Sequence, residues 1–161
     1  MARWADVVEN EAEFADEVRK AFDAYTHKTL ATLRKDGSPR ISGSEAGFVD
    51  GDLWFGSMPG ALKALDLLRD PRFALHAGTG DADSDSWRGD AKLSGRAVEV
   101  TDPEAVAAVY RAWTGEAPEG PSHLFRAELT DVVLTTLNQA RDGLAIRLWT
   151  PDGGLRTFAR K

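Results

Sequence analysis

Four Asp-Gly pairs punctuate this chain: Asp36-Gly37, Asp50-Gly51, Asp142-Gly143 and Asp152-Gly153. Asp-Gly tolerates the positive φ angles of a tight hairpin turn, and these pairs are flanked by runs rich in alternating apolar residues. The runs are Lys28 to Arg34, Ile41 to Val49, Leu53 to Gly56, Leu144 to Trp149 and Leu155 to Arg160. Arg72 to Ala77, Ala91 to Val100 and His123 to Leu129 add further strands. The last of these continues through Val132 to Leu137 after a bend at Thr130-Asp131. The pattern predicts seven or eight antiparallel strands, and a closed or partly closed barrel is the arrangement that best protects their edges.

Three helices complete a mainly β, α+β reading. Trp4 to Tyr25 carries Trp4, Val7, Val8, Phe14, Val18, Ala21, Phe22 and Tyr25 at helical spacing, with Asn10 as its weak point. Thr101-Asp102-Pro103-Glu104 is a helix start, from which Ala105 to Trp113 continues as a helix with a buried face. The third helix, Ala61 to Arg69, belongs to the stretch Ser38 to Asp70, which carries the chemistry.

In that stretch Arg40, Ser42 and Ser44 share one strand face, which suits either a solvated surface or the wall of a polar ligand site. Ser57 is a candidate N-cap and Pro59 fits a first helical turn, while Asp70-Pro71 ends the helix. A helix start exposes free amides and the positive end of the helix dipole. With Arg40 and Lys63 beside those amides the stretch reads as a phosphate pocket; the plain alternative makes Lys63 a solvated helix residue.

Three segments together resemble the pyridoxamine-5′-phosphate oxidase-like family of FMN-binding split β-barrels. They are KTLATLRKDGSPRIS, DGDLWFGS and KALDLLRDPRFALH, and the likeness extends over roughly residues 28–100. The resemblance implies FMN held at the interface of a homodimer, its phosphate on basic and hydroxyl groups. It assigns Arg40 and Ser42 to the strand facing the flavin, Ser57 and Met58 to the strand end beside it, and Lys63 to the phosphate. Trp87 and Arg96 are further cofactor-binding candidates, reaching toward the other subunit's flavin. Short members of the family take a deazaflavin coenzyme instead, which makes it the alternative cofactor.

The chain departs from the family's namesake in two places. Ala61-Leu62 stand before Lys63 where a basic or hydroxyl residue is usual. The basic C-terminal segment that holds a pyridoxal-type phosphate is not evident, so oxidation of vitamin B6 is not expected. The expectation is an FMN-dependent oxidoreductase acting on a small organic molecule. A deazaflavin-dependent reductase is the runner-up, and a non-catalytic flavin- or haem-binding protein the third reading.

Composition narrows the field. The 161 residues read as a single domain, 1–161, with a helical segment at 1–27. A net charge of −6 argues against nucleic acid as a partner. The absence of cysteine removes disulfides, thiol catalysis and thiolate metal sites. No signal-like or membrane-length apolar run appears, so a cytoplasmic location is expected. Asp81, Asp83 and Asp85 alternate like half of a calcium loop, but Ser86 and Lys92 occupy the positions where Gly and Glu are required, so no metal is expected. Trp87 in the same acidic loop either covers a planar ring or anchors the loop. His27, His76 and His123 are scattered, and no motif for a nucleotide-binding loop, a serine nucleophile or a zinc protease occurs. No catalytic side chain is identified. A flavin enzyme does not require one, since the cofactor carries the redox chemistry.

Overall fold

The computed structural model describes residues 1–82 and 84–161. Asp83, one of the three aspartates of the calcium-like pattern, lies outside the described residues. The elements run α1 (Trp4–Asn10), α2 (Ala12–Asp23), β1 (His27–Leu33), β2 (Pro39–Val49), β3 (Asp52–Ser57), α3 (Leu62–Arg69) and β4 (Arg72–His76). They continue with β5 (Asp90–Glu99), α4 (Pro103–Thr114), β6 (His123–Leu137), β7 (Leu144–Thr150) and β8 (Gly154–Arg160).

The sheet order is β3-β2-β1-β4-β5-β6-β7-β8, and β3 also pairs with β6. That extra pairing, Trp54 with Arg126 through Ser57 with His123, closes six strands into an antiparallel barrel. β7 and β8 extend β6 as an antiparallel flap. Each Asp-Gly pair lies in a hairpin connection. At Asp50-Gly51 both residues have positive φ, 50° and 79°, as the tightest two-residue turn requires. β6 bends where expected: its pairing with β5 slips between Ser94 and Gly95, opposite Asp131 and Leu129.

The barrel interior is packed with Leu30, Leu53, Phe55, Leu75, Leu93, Phe125, Leu129 and Leu134, all essentially inaccessible. Phe55 sits at the centre, its ring 5.1 Å from that of Phe73 and 5.8 Å from that of Phe125. The helical N-terminal segment covers one mouth, where Trp4 and Phe22 pack on Phe48 at 4.5 and 5.2 Å. Arg3 grips the carboxylate of the buried Asp52 with two hydrogen bonds, of 2.8 and 2.5 Å, and ties the N-terminus to the β2–β3 turn. Among the described residues no helix is long and apolar enough to cross a membrane.

One helix expectation is refined and another changes. The N-terminal segment is two helices, broken at the expected weak point after Asn10, where Glu11 leaves helical geometry at φ −140°, ψ 65°. Asn10 closes α1 by donating its side-chain amide to the Asp6 carbonyl at 2.7 Å. The break lets Trp4 and Val7 on α1, and Phe14 and Val18 on α2, all reach the core. The change is at α4, which buries no residue fully. It lies outside the barrel on a small second core of Val49, Trp54 and Leu124, leaving Val106, Val109, Tyr110 and Trp113 half-buried.

α3 is held to the barrel by one carboxylate. Asp66, 3% exposed, accepts from Thr32 Oγ1 at 2.8 Å, Arg40 Nε at 2.6 Å and Arg69 at 2.9 Å. Burial pushes its pKa up, but the hydrogen bonds from Arg40, Thr32 and Arg69 outweigh burial and hold it below the ordinary carboxylate value. Removing it leaves Arg40 without its counter-charge in a half-buried site. Asp66→Ala should therefore cost about 2–4 kcal/mol in chemical denaturation. Because the folded-state pKa is depressed, the stabilisation is complete above the unfolded carboxylate's pKa of about 3.9 and is lost as pH falls through the lower folded value. The difference between the wild type and the alanine variant should shrink across that acid range.

Candidate functional site

β2 and β3 pair only between Ala46–Val49 and Asp52–Phe55, and beyond that pairing, with the start of α3, one side of α4 and the loop before β6, they line a groove of about 470 Å³. That volume falls in the usual range for a small-molecule site. Its floor is the backbone at Gly43, Ser44 and Gly56, one rim is Ser57–Pro59, and Lys63 and Glu45 supply charge.

The β3–α3 connection differs from the expected helix start. Ser57 is the last residue of β3, and its hydroxyl donates to the Met58 carbonyl at 3.2 Å rather than capping a helix. Gly60 takes φ +71°, outside helical space, so Pro59 belongs to the turn and α3 begins at Leu62. Its N-cap, Ala61, offers no side-chain acceptor. Lys63 is thereby in the first turn, where Nζ donates to the Gly43 carbonyl at 2.8 Å and bridges α3 to β2. Desolvation pushes its pKa down and the nearby Glu45 carboxylate partly restores it. An ammonium losing water in this way is stabilised further by an anionic ligand.

The opposite wall is aromatic. Tyr110 and Trp113, one turn apart on α4, stack with centroids 5.7 Å apart and planes at 22°. They approach bare strand backbone: a β-carbon on Gly56 would collide with Tyr110 Oη, and one on Gly47 with Trp113 Nε1. Tyr110 donates its hydroxyl to the His123 carbonyl at 3.0 Å. Burial pushes the phenol's pKa up and outweighs the lowering by a Ser122 hydrogen bond, with a smaller push from the Glu45 charge, so it stays a neutral donor.

Of the cofactor-binding candidates named from sequence, the groove collects Ser57, Met58 and Lys63, and Ser44, Pro59 and His27 line it with them. Met58 stands 78% exposed at the rim. The phosphate pocket expected from Arg40 together with Lys63 is not assembled within one chain. Arg40 is drawn to Asp66 and lines a separate groove with Leu62, Leu65 and Arg69. Ser42, half-buried and paired with Leu30, is not among the groove's lining residues. Trp87 lines a third groove with Glu17, Lys20 and Arg141, its indole donating to Asp90 at 3.3 Å. Arg96 is exposed on β5, in register with Arg72 and Glu128. Among the described residues no cluster of three or more His, Asp or Glu is arranged to hold a metal.

Sequence reasoning passes over Glu45, Tyr110, Trp113 and the pair Glu99–His123, which abuts the groove with Nδ1 2.7 Å from Oε1. The aromatic pair has a visible signal, two rings at three-residue spacing before a Gly- and Pro-rich loop. The Glu99–His123 pair has none, because strand register alone brings the two together.

The packing of Tyr110 on Gly56 is testable. Gly56→Ala should displace the tyrosine and cost about 1–3 kcal/mol in chemical denaturation, with a change in tryptophan fluorescence from Trp113. Gly43→Ala, in the same groove with nothing within 4 Å of its added carbon, should be close to neutral.

A family model described as pyridoxamine 5′-phosphate oxidase matches residues 14–136, about three quarters of the chain. No curated protein matches. Among solved structures, a pyridoxamine 5′-phosphate oxidase-related, FMN-binding protein from Nostoc punctiforme aligns with a TM-score of 0.65 at 13% identity, covering 94% of this chain and 96% of its own. PhzG from Burkholderia lata, solved with tetrahydrophenazine-1-carboxylic acid, gives 0.60 at 17%, covering 100% and 93%. A haem-binding protein from Mycobacterium smegmatis gives 0.55 at 19%, covering 89% of this chain and 57% of that one, so the chain spans little over half of that relative's length. At these identities the structures show a shared fold, and the family model adds a match over most of the sequence. This chain belongs to the pyridoxamine 5′-phosphate oxidase family.

Proposed function

We propose that the groove binds FMN and that the protein is a flavin-dependent oxidoreductase for a small organic substrate, working as a homodimer. The carrying observation is Lys63, a desolvated ammonium at a helix start, facing the Ser57 hydroxyl end of β3 across the same groove. In this reading Lys63, Ser57 and the turn amides take the phosphate, and the Tyr110–Trp113 wall offers a flat surface for a ring. When bound, the flavin supplies the hydride or electron transfer, and the chain supplies placement and exclusion of water.

A second copy accounts for exposed apolar surface beside the groove. Ile41, Met58, Leu62 and Leu65 are 74%, 78%, 60% and 44% exposed, an unusual density of apolar side chains on one side of a small domain. Pairing there places Arg40, which lies beside Leu62 and Leu65, at the subunit boundary. Trp87 and Arg96 then act, if they touch cofactor, from the partner subunit.

Cofactor-stripped protein titrated with FMN and followed by flavin fluorescence should saturate. Lys63→Ala should bind about tenfold to a hundredfold more weakly, the range for one charge-assisted hydrogen bond, with folding unchanged. Parallel titrations with the deazaflavin coenzyme and with haem decide between occupants: preference for either one overturns FMN. Reduction of the bound flavin by NADH or NADPH with turnover of an acceptor distinguishes an enzyme from a carrier.

A further inference from the structure

The turn that forms the groove's rim is held by a histidine whose two ring nitrogens are both engaged. His123 Nδ1 lies 2.7 Å from Glu99 Oε1, and the Gly60 amide donates to Nε2 at 3.3 Å. A backbone N–H can only donate, so Nε2 is the acceptor and the proton resides on Nδ1, directed at Glu99. The arrangement requires neutral imidazole. A second proton would occupy Nε2 and set two donors against each other, leaving the Gly60 amide without its partner.

Gly60 is the left-handed residue of the Ser57–Ala61 turn, between the hydroxyl of Ser57 and the first turn of α3. We propose that His123, oriented by Glu99, is a proton-sensitive latch on this turn, closed when the imidazole is neutral and released when it is protonated. The proposal deepens the ligand-binding reading of the groove, and its consequence is that ligand affinity falls with acid.

Glu99 on β5 faces Nδ1 and the Gly60 amide faces Nε2. Phe125 stacks on the ring from the same strand at 6.0 Å and carries no charge. Tyr110 on α4 donates to the His123 carbonyl, not to the ring. On α3, Lys63 is committed to the Gly43 carbonyl. Glu45 on β2 acts on Tyr110 and Lys63 through space.

The decisive experiment is a pH titration of full-length, ligand-free protein by amide NMR, following the Gly60 resonance and its hydrogen exchange. The expected result is a protected Gly60 amide at pH 8 that shifts and loses protection with the same midpoint as the His123 ring. His123→Gln keeps an acceptor and cannot titrate, so it should hold the amide at every pH. An amide insensitive to the His123 titration, or one lost at all pH values in His123→Gln, overturns the latch.

FMN titration of the same proteins reads the consequence. Between pH 8 and 5.5, wild type should lose about threefold to tenfold more affinity than His123→Gln, the value of one net hydrogen bond. Equal losses, attributable to FMN's own phosphate, overturn the coupling to the groove. Absence of FMN binding at every pH overturns the flavin reading, and the Gly60 amide still decides the latch.

Discussion

The buried carboxylate of Asp66 determines where two cations of this protein go. It accepts from β1, β2 and its own helix at once, and so fixes α3 against the barrel wall. Arg40 spends its guanidinium on this junction. Lys63, three residues earlier on the same short helix, is left at the other end, reaching over β2 to the Gly43 carbonyl. An isolated buried carboxylate is costly, and three donors make this one favourable in its ionised form. The ion pair is a structural device, and its effect on function is to leave one cation rather than two in the groove.

The same groove shows what the barrel supplies and what is added to it. Closure between β3 and β6 fixes Ser57 beside His123. α4 then crosses outside the barrel, and glycines at 47 and 56 let its two aromatic rings settle on strand backbone. A shallow second core of Val49, Trp54 and Leu124 supports the helix from below. The result is a wall with a flat aromatic face, opposed by a single ammonium and tempered by Glu45. Such a lining favours a planar, singly anchored ligand over one bearing several charges.

Much of the fold is legible because its signals are local. Asp-Gly pairs mark turns whatever lies elsewhere, and the bend at Thr130-Asp131 is visible where alternation shifts phase. The break at Glu11 is signalled only by Asn10, since helical spacing continues through it, and the need to turn both apolar faces inward forces it. Ser57, Met58 and Lys63 line one groove because they lie within one turn and one helix start. Arg40 lies apart from them for a specific reason: strand parity gives its face, but its partner Asp66 is twenty-six residues away. Likewise Tyr110 and Trp113 are passed over, because helical periodicity does not say whether a buried helix face packs inside a barrel or over a groove.

The central claim is that FMN occupies the groove between Lys63 and the Tyr110–Trp113 wall. Mapping FMN-induced changes across the amide spectrum of isotope-labelled protein tests it most directly. The account predicts the largest changes at Gly43 to Glu45, Ser57 to Lys63 and the Trp113 indole. Changes centred instead on the Arg34–Arg40–Arg69 groove, or on the loop around Trp87, would contradict it.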